Sequence, residues 1–154
     1  MVLKAVIVFC SRTGNTARIA EAIAAGLGEK GFEVVLKSVS EGVADGDVAS
    51  ADLVGFGSGI YGLSVDKRLL KFVDSLPPAL GRKAFVFSTS GRGRGQTGSL
   101  RKALEKKGYS IVGEFACKGF DAWGPFKLVG GLNKGRPNAA DLEDARKFGA
   151  SLPA

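Results

Sequence analysis

Six consecutive residues near the start of the chain, Ser11-Arg12-Thr13-Gly14-Asn15-Thr16, bring together four neutral hydrogen-bonding side chains, one glycine and no carboxylate. Donors at that density, with no negative charge to repel a ligand, suit an anion, and Gly14 lets the main chain come close to it. Position is what turns a suitable composition into a site. Ahead of the turn stands Ala5-Val6-Ile7-Val8-Phe9, a short β-branched run that reads as a strand buried on both faces. Behind it Ile19, Ile23 and Leu27 recur every four residues with Ala20 and Ala24 beside them, one stripe of an amphipathic helix. A strand, turn and helix in that order aim the turn's N–H groups and the positive end of the helix dipole at one point, the geometry of a phosphate site. The same residues also make an ordinary helix start, with Thr13 or Asn15 as N-cap.

Two further polar, glycine-bearing stretches end apolar runs. Ala51 to Gly57 reads as a strand and leads into Gly57-Ser58-Gly59-Ile60-Tyr61-Gly62, which spells G-x-G-x-x-G. This is not the dinucleotide fingerprint, which follows a first strand, opens directly into a helix and wants an acidic residue ~20 positions later. Here the next helix starts after Ser64, a suitable N-cap, and Pro77-Pro78 stand at that distance. Lys83 to Ser88 reads as another strand and runs into Thr89-Ser90-Gly91-Arg92-Gly93-Arg94-Gly95. Taken alone, the last five of those residues look like an RGG tract for nucleic acid, but one copy between a strand and a helix is a weak signal.

Phe9 to Thr16, followed by Ala17 and Ala20, resembles the phosphate loop of the flavodoxins, which bind FMN noncovalently. The nucleoside-triphosphate loop G-x-x-x-x-G-K-[ST] is absent, and no lysine stands in the turn. The resemblance implies that Ser11, Arg12, Thr13, Gly14, Asn15 and Thr16 form the phosphate loop, with Arg12 at a variable position of the pattern. It implies that Ser58, Gly59, Ile60, Tyr61 and Gly62 pack against the isoalloxazine ring, Ser58 or Gly59 as the small position whose carbonyl turns towards flavin N5 and Tyr61 as a stacking ring. It implies that Thr89, Ser90, Gly91, Arg92 and Gly93 bind the pyrimidine side. The stacking aromatic and the acidic residues that flavodoxins commonly have in this last loop are missing here.

The remaining elements follow from periodicity and punctuation. Gly28 and Gly31 close the first helix, Phe32 to Leu36 is a second strand, and Ser38 to Ser50 gives no strong period and reads as a loop with one short helical turn. Asp66 to Leu76 is a helix stopped by Pro77-Pro78, Ser99 to Lys107 a helix ended by Gly108, and Tyr109 to Cys117 a fifth strand. Lys118 to Asn138 is long for a connection. It is similar to a GFD-x-(aromatic)-GPFKL stretch in a less-studied branch of flavodoxin-like proteins, and Phe120, Trp123 and Phe126 are candidates to cover the flavin edge or meet a partner. Asn138 with Asp141 caps a last helix whose inner stripe is Leu142, Ala145, Phe148, Gly149 and Leu152. The expected fold is α/β: one domain over 1–154, a doubly wound, five-stranded parallel sheet in flavodoxin-like order 2-1-3-4-5 with helices on both faces. That order brings the three polar loops to one sheet edge. It also sets Cys10 and Cys117 three strand spacings apart, ~14 Å, so both are expected to be free thiols.

The whole chain narrows the chemistry. There is no histidine among 154 residues, which excludes Ser-His-Asp and Cys-His catalysis and most zinc and iron sites, so redox chemistry must come from a cofactor. No stretch is apolar for long enough to cross a membrane, Met1 leads straight into a strand, and two cysteines fit a reducing compartment, so a cytoplasmic location is expected. The formal charge is +7, and Lys83 to Pro137 holds eleven basic residues against Glu105, Glu114 and Asp121. A basic half favours an acidic partner. The leading expectation is an electron carrier that uses FMN and docks on an acidic redox protein, as a monomer or weak dimer. The alternatives are an FMN oxidoreductase acting with NAD(P)H, a quinone or a porphyrinogen, and a flavin-free binding protein.

Basic residues beside the ring carry a measurable consequence. One positive charge ~10 Å away at an effective dielectric of ~20 favours the fully reduced, anionic flavin by about 1.7 kcal/mol, or roughly 70 mV for one electron. Replacing Arg92 and Arg94 by glutamine should therefore lower the potential of the second electron by tens of millivolts in redox titration, and an unchanged potential contradicts the expectation.

Overall fold

The computed structural model describes residues 2–12, 14–61, 64–90, 96–118 and 136–153, apart from the side chains of Asp45 and Tyr61. In chain order the elements are β1 (Lys4–Cys10), α1 (Asn15–Glu29), β2 (Glu33–Ser38), a 3-10 turn (Val39–Glu41), α2 (Asp45–Ala49), β3 (Leu53–Tyr61), β4 (Ser64–Val65), α3 (Lys67–Ser75), β5 (Lys83–Ser90), α4 (Gly98–Lys106), β6 (Ser110–Lys118) and α5 (Ala139–Ser151). The sheet runs β2-β1-β3-β5-β6, and every neighbouring pair along it is parallel. Counting only the parallel strands, this is the expected order 2-1-3-4-5. The two-residue β4 is additional and pairs antiparallel with the end of β3, Ile60 against Val65 and Tyr61 against Ser64.

Each central strand presents alternate residues to two cores, as a sheet covered on both faces must. Val6, Val8, Val54, Phe56 and Val86 pack with Leu69 and Val73 of α3 and Leu100 and Leu104 of α4. Ala5, Ile7, Leu53, Phe85 and Phe87 pack with Ile19, Ile23 and Leu27 of α1 and Ala145 of α5. Two glycines of β3 make the second core possible. A Cβ on Gly55 would sit 2.2 Å from the Phe85 ring and one on Gly57 2.1 Å from the Phe87 ring, so both rings lie directly on the neighbouring strand.

Helices α1 and α5 meet through two more glycines. A Cβ on Gly26 would lie 2.0 Å from the carbonyl oxygen of Arg146, and one on Gly149 2.2 Å from that of Ile23. Arg146 then spans the contact by binding Glu29 at 2.8 Å, and it also binds Glu143 one turn back. The capping box expected at Asn138 and Asp141 starts α5, with Asn138 Oδ1 accepting from the Asp141 N–H at 3.0 Å and Asp141 Oδ2 accepting from the Asn138 N–H at 2.8 Å.

Boundaries differ where polar residues are buried rather than looped. β3 continues to Tyr61 and β5 to Ser90, beyond the expected ends at Gly57 and Ser88, because Ser58, Thr89 and Ser90 are all paired in the ladders or buried. The 38–50 region holds the 3-10 turn and the five-residue α2. Helix α2 is too short to show a period, and its end is closed by Arg82, whose Nη1 donates to the carbonyls of Val48, Ala49 and Ala51.

The glycine contacts give opposite predictions within one helix. Gly26→Ala and Gly149→Ala should each destabilise the protein by about 1–3 kcal/mol in urea denaturation, because main chain cannot yield to the new methyl. Gly28 of α1 has open space around it, so Gly28→Ala should stabilise by about 0.5–1 kcal/mol. Equal effects at all three positions would contradict the close approach.

Candidate functional site

The carboxyl ends of β1, β3 and β5 lie side by side, and the polar residues singled out in the sequence gather there. Cys10 pairs with Ser58, Ser58 with Ser88, and Gly59 with Thr89 across the strands. Thr16, the second residue of α1, reaches this edge from the other side: its Oγ1 lies 3.0 Å from Oγ1 of Thr89, in a contact that is fully buried. Seventy-three residues separate the pair. Two hydroxyls bonded to each other use one hydrogen between them, so the pair keeps a second O–H to give to a ligand.

The turn itself is shaped by Gly14. It is the N-cap of α1 in the left-handed conformation, φ +87, and Asn15 is already the first helical residue, so Asn15 does not take the capping role. There is no acidic residue in the first helical turn. The N–H groups of Gly14 and Ala17 both donate to Ser11 Oγ, at 3.1 and 3.4 Å. Main-chain donors of the turn therefore converge on one oxygen, at the positive end of a fifteen-residue helix. That donor set, with a glycine whose Cα faces open space, fits a phosphate.

Arg12 turns towards the next strand end instead of into the turn. It is 55 % exposed, and its Nε donates to Asp66 Oδ2 at 3.3 Å. Asp66 is the residue that sequence reasoning missed. It, and not Ser64, is the N-cap of α3, accepting from the Arg68 N–H at 2.9 Å, while Ser64 lies in β4. Arg68 also grips the carboxylate with Nε at 3.1 Å and Nη2 at 2.9 Å. The signal was present, since an aspartate immediately ahead of a helical run is as good a cap as a serine. Burial alone would raise the Asp66 pKa, but the Arg68 and Arg12 hydrogen bonds and charges outweigh it and hold the group at about 2.

Ser58 joins this cluster to β3. Its hydroxyl accepts from the Asp66 N–H at 2.9 Å and donates to the Gly59 carbonyl at 2.6 Å. Ser58 and Gly59, expected just beyond the third strand, lie inside it, both buried and paired, and Ile60 beside them is buried too. Next to Ser58 in register, Ser88 Oγ is buried with no hydrogen-bond partner. Asn15 begins α1 and Ser90 is buried at the end of β5. The side chain of Tyr61, and Thr13, Gly62, Gly91, Arg92, Gly93, Arg94, Phe120, Trp123 and Phe126, lie outside the described residues.

Both thiols are buried and free, as expected, on opposite faces of the sheet. Burial pushes Cys10 up to about 11 and Cys117 up to about 12. Among the described residues no cluster of Cys, Asp or Glu could hold a metal, and no helix is long and apolar enough to cross a membrane.

Residues 6–119 match the model of the flavodoxin domain family. The chain belongs to the flavodoxin family. Membership carries FMN as the cofactor, and the glycine-capped turn agrees with it. A protein of Methanocaldococcus jannaschii described as uncharacterised is 38 % identical over 154 residues, covering 97 % of this chain and 98 % of that one. Among solved structures, a flavodoxin from the domain Archaea superposes with a TM-score of 0.75 at 21 % identity, over 96 % of this chain and 94 % of the other. The two-electron reduced flavodoxin of Megasphaera elsdenii gives 0.67 at 26 %, over 93 % and 98 %.

The Asp66 carboxylate fixes a pH dependence. Its folded pKa lies below the ordinary 3.8, so the stability it supplies is present above about pH 4 and is lost as the pH falls towards 2. Asp66→Asn retains a capping side chain and removes the charge. Wild type should exceed this flavodoxin variant by roughly 2 kcal/mol at neutral pH, with the difference shrinking between pH 4 and 2 in urea melts. A difference that does not change with pH would contradict the assignment.

Proposed function

We propose that this flavodoxin carries electrons on FMN between other redox proteins and has no substrate of its own. The observation that carries the reading is the titration character of the site. The chain has no histidine, Asp66 stays ionised down to about pH 2, and burial keeps Cys10 protonated up to about 11. No described side chain at this edge exchanges a proton near neutral pH, which an electron carrier does not need and general acid-base catalysis does. Bound FMN supplies the redox chemistry.

In this reading Ser11, Gly14, Asn15 and Thr16 hold the phosphate through main-chain N–H groups and hydroxyls. The Thr16 and Thr89 pair sets the distance between the phosphate turn and the pyrimidine-side strand end, where Thr89 and Ser90 serve the ring. Gly59 and Ile60 form the floor beside it. Arg12 and Arg68 are positioning residues for Asp66, and their half-exposed guanidinium groups give this rim a positive charge. With the formal charge of +7, that favours docking on an acidic partner protein. Two buried, unpaired thiols agree with a cytoplasmic protein.

The oxidoreductase alternative draws on Arg92 and Arg94, outside the described residues, whose guanidinium groups suit a nucleotide phosphate. Anaerobic dithionite titration of the FMN-reconstituted protein separates the readings. A carrier should take up its two electrons in resolved one-electron steps and should oxidise NADH or NADPH, with or without a quinone, no faster than free FMN does. Sustained nicotinamide turnover would overturn the carrier reading. Docking on an acidic partner should weaken as salt rises, and strengthening with salt would count against it.

A further inference from the structure

Strand β2 ends the sheet, so one side of its main chain is unpaired. Glu33 donates its N–H to the Leu3 carbonyl, towards β1. Alternation then turns the N–H and C=O groups of Glu33, Val35 and Lys37 towards β1 and those of Val34 and Leu36 outwards. Proteins blunt such an edge with inward charges, proline or a covering loop. Here the middle of the strand instead shows two of the large exposed hydrophobics among the described residues, Val35 at 41 % and Leu36 at 37 %.

We propose that β2 pairs antiparallel with β2 of a second copy, about a two-fold axis at Val35, joining two five-stranded sheets into one. The occupant follows from the strand's own sequence, Glu33-Val34-Val35-Leu36-Lys37, which is complementary to itself when reversed. Centred on Val35, the pairing sets Val34 against the partner's Leu36. Both have outward main-chain groups, so each such pair exchanges both hydrogen bonds. Val35 meets the partner's Val35 at the axis, and Glu33 meets the partner's Lys37 on each side of it. Opposite charges in facing positions stabilise a pair of strands. The two neighbouring registers that keep the hydrogen-bond phase set Val35 against Lys37 or Val35 against Glu33, and both lose the charge pairs.

Space for the pairing exists on the face that carries Glu33, Val35 and Lys37. Because α2 has only five residues, a groove of about 250 Å³ lined by Lys4, Val6, Val35 and Asp47 stays open there. Among the described residues the ion pair of Lys37 is a 3.9 Å, partly exposed contact with Asp47, weak enough for Lys37 to turn to a carboxylate on the second copy. The axis lies at β2, two strands from β3, and the carboxyl ends of β3 and β5 remain open.

The test combines assembly with register. In sedimentation velocity the wild type should show a concentration-dependent dimer. Lys37→Glu should weaken it about tenfold, and the swap Glu33→Lys with Lys37→Glu should restore it. Under mild oxidation Val35→Cys should cross-link to itself, since a facing pair of this kind has Cα atoms about 4.5 Å apart, within disulfide range. Glu33→Cys, which faces the partner's position 37, should not; the native thiols are buried and do not compete. A wild type that stays monomeric at every concentration, a dimer indifferent to Lys37→Glu, or equal cross-linking of the two cysteine variants overturns the proposal, and the first of these leaves the edge to a strand from another protein.

Discussion

One buried hydrogen bond, between the hydroxyls of Thr16 and Thr89, holds the cofactor edge of this flavodoxin together. A parallel sheet covered on both faces brings polar residues to its carboxyl edge, and water cannot reach most of them. Each therefore needs a partner in the protein, and the choice of partner sets the geometry. Thr16 stands at the start of α1 and Thr89 near the end of β5, so their contact fixes the phosphate turn against a strand two places away in the sheet. The same constraint explains Ser58, whose hydroxyl satisfies the start of α3 and the Gly59 carbonyl at once. Ser88 shows the cost of the rule when it fails, a buried hydroxyl without a partner.

The Asp66 cluster extends that logic from hydroxyls to charge. A carboxylate almost out of solvent is tolerable only because two guanidinium groups and an N–H surround it. It thereby links three segments: the phosphate turn through Arg12, the end of β3 through Ser58, and the first turn of α3. Beneath this edge the packing is held by glycine. Gly55 and Gly57 let phenylalanine rings lie on β3, and Gly26 and Gly149 bring α1 against α5, so the helix that presents the phosphate turn is braced along its length.

Much of this was legible in the sequence, and the misses share a cause. Ala5 to Phe9, Ala51 to Gly57 and Lys83 to Ser88 were visible as strands because burial on both faces demands a continuous apolar run. Their extensions were not, because Ser58, Thr89 and Ser90 have loop composition while their surroundings are buried and paired. The phosphate turn was readable from Ser11 to Thr16 as a group, whereas the roles within it were not. Arg12 binds Asp66, and Gly14 takes the cap that Asn15 would have taken in an isolated helix. Such choices depend on residues 54 and 73 positions away, which no local pattern carries. The five-residue α2 was legible only as one short helical turn without bounds, because what closes it is Arg82, far along the chain.

The central claim is that the glycine-capped start of α1 receives the phosphate of FMN. Comparing FMN with riboflavin tests it most directly, since the two ligands differ only by that group. Flavin fluorescence titration of the apoprotein should show FMN binding at least about a hundredfold more tightly than riboflavin, the loss expected when charge-assisted bonds at the turn go unmade. Equal affinities would contradict the account and move the phosphate away from Gly14.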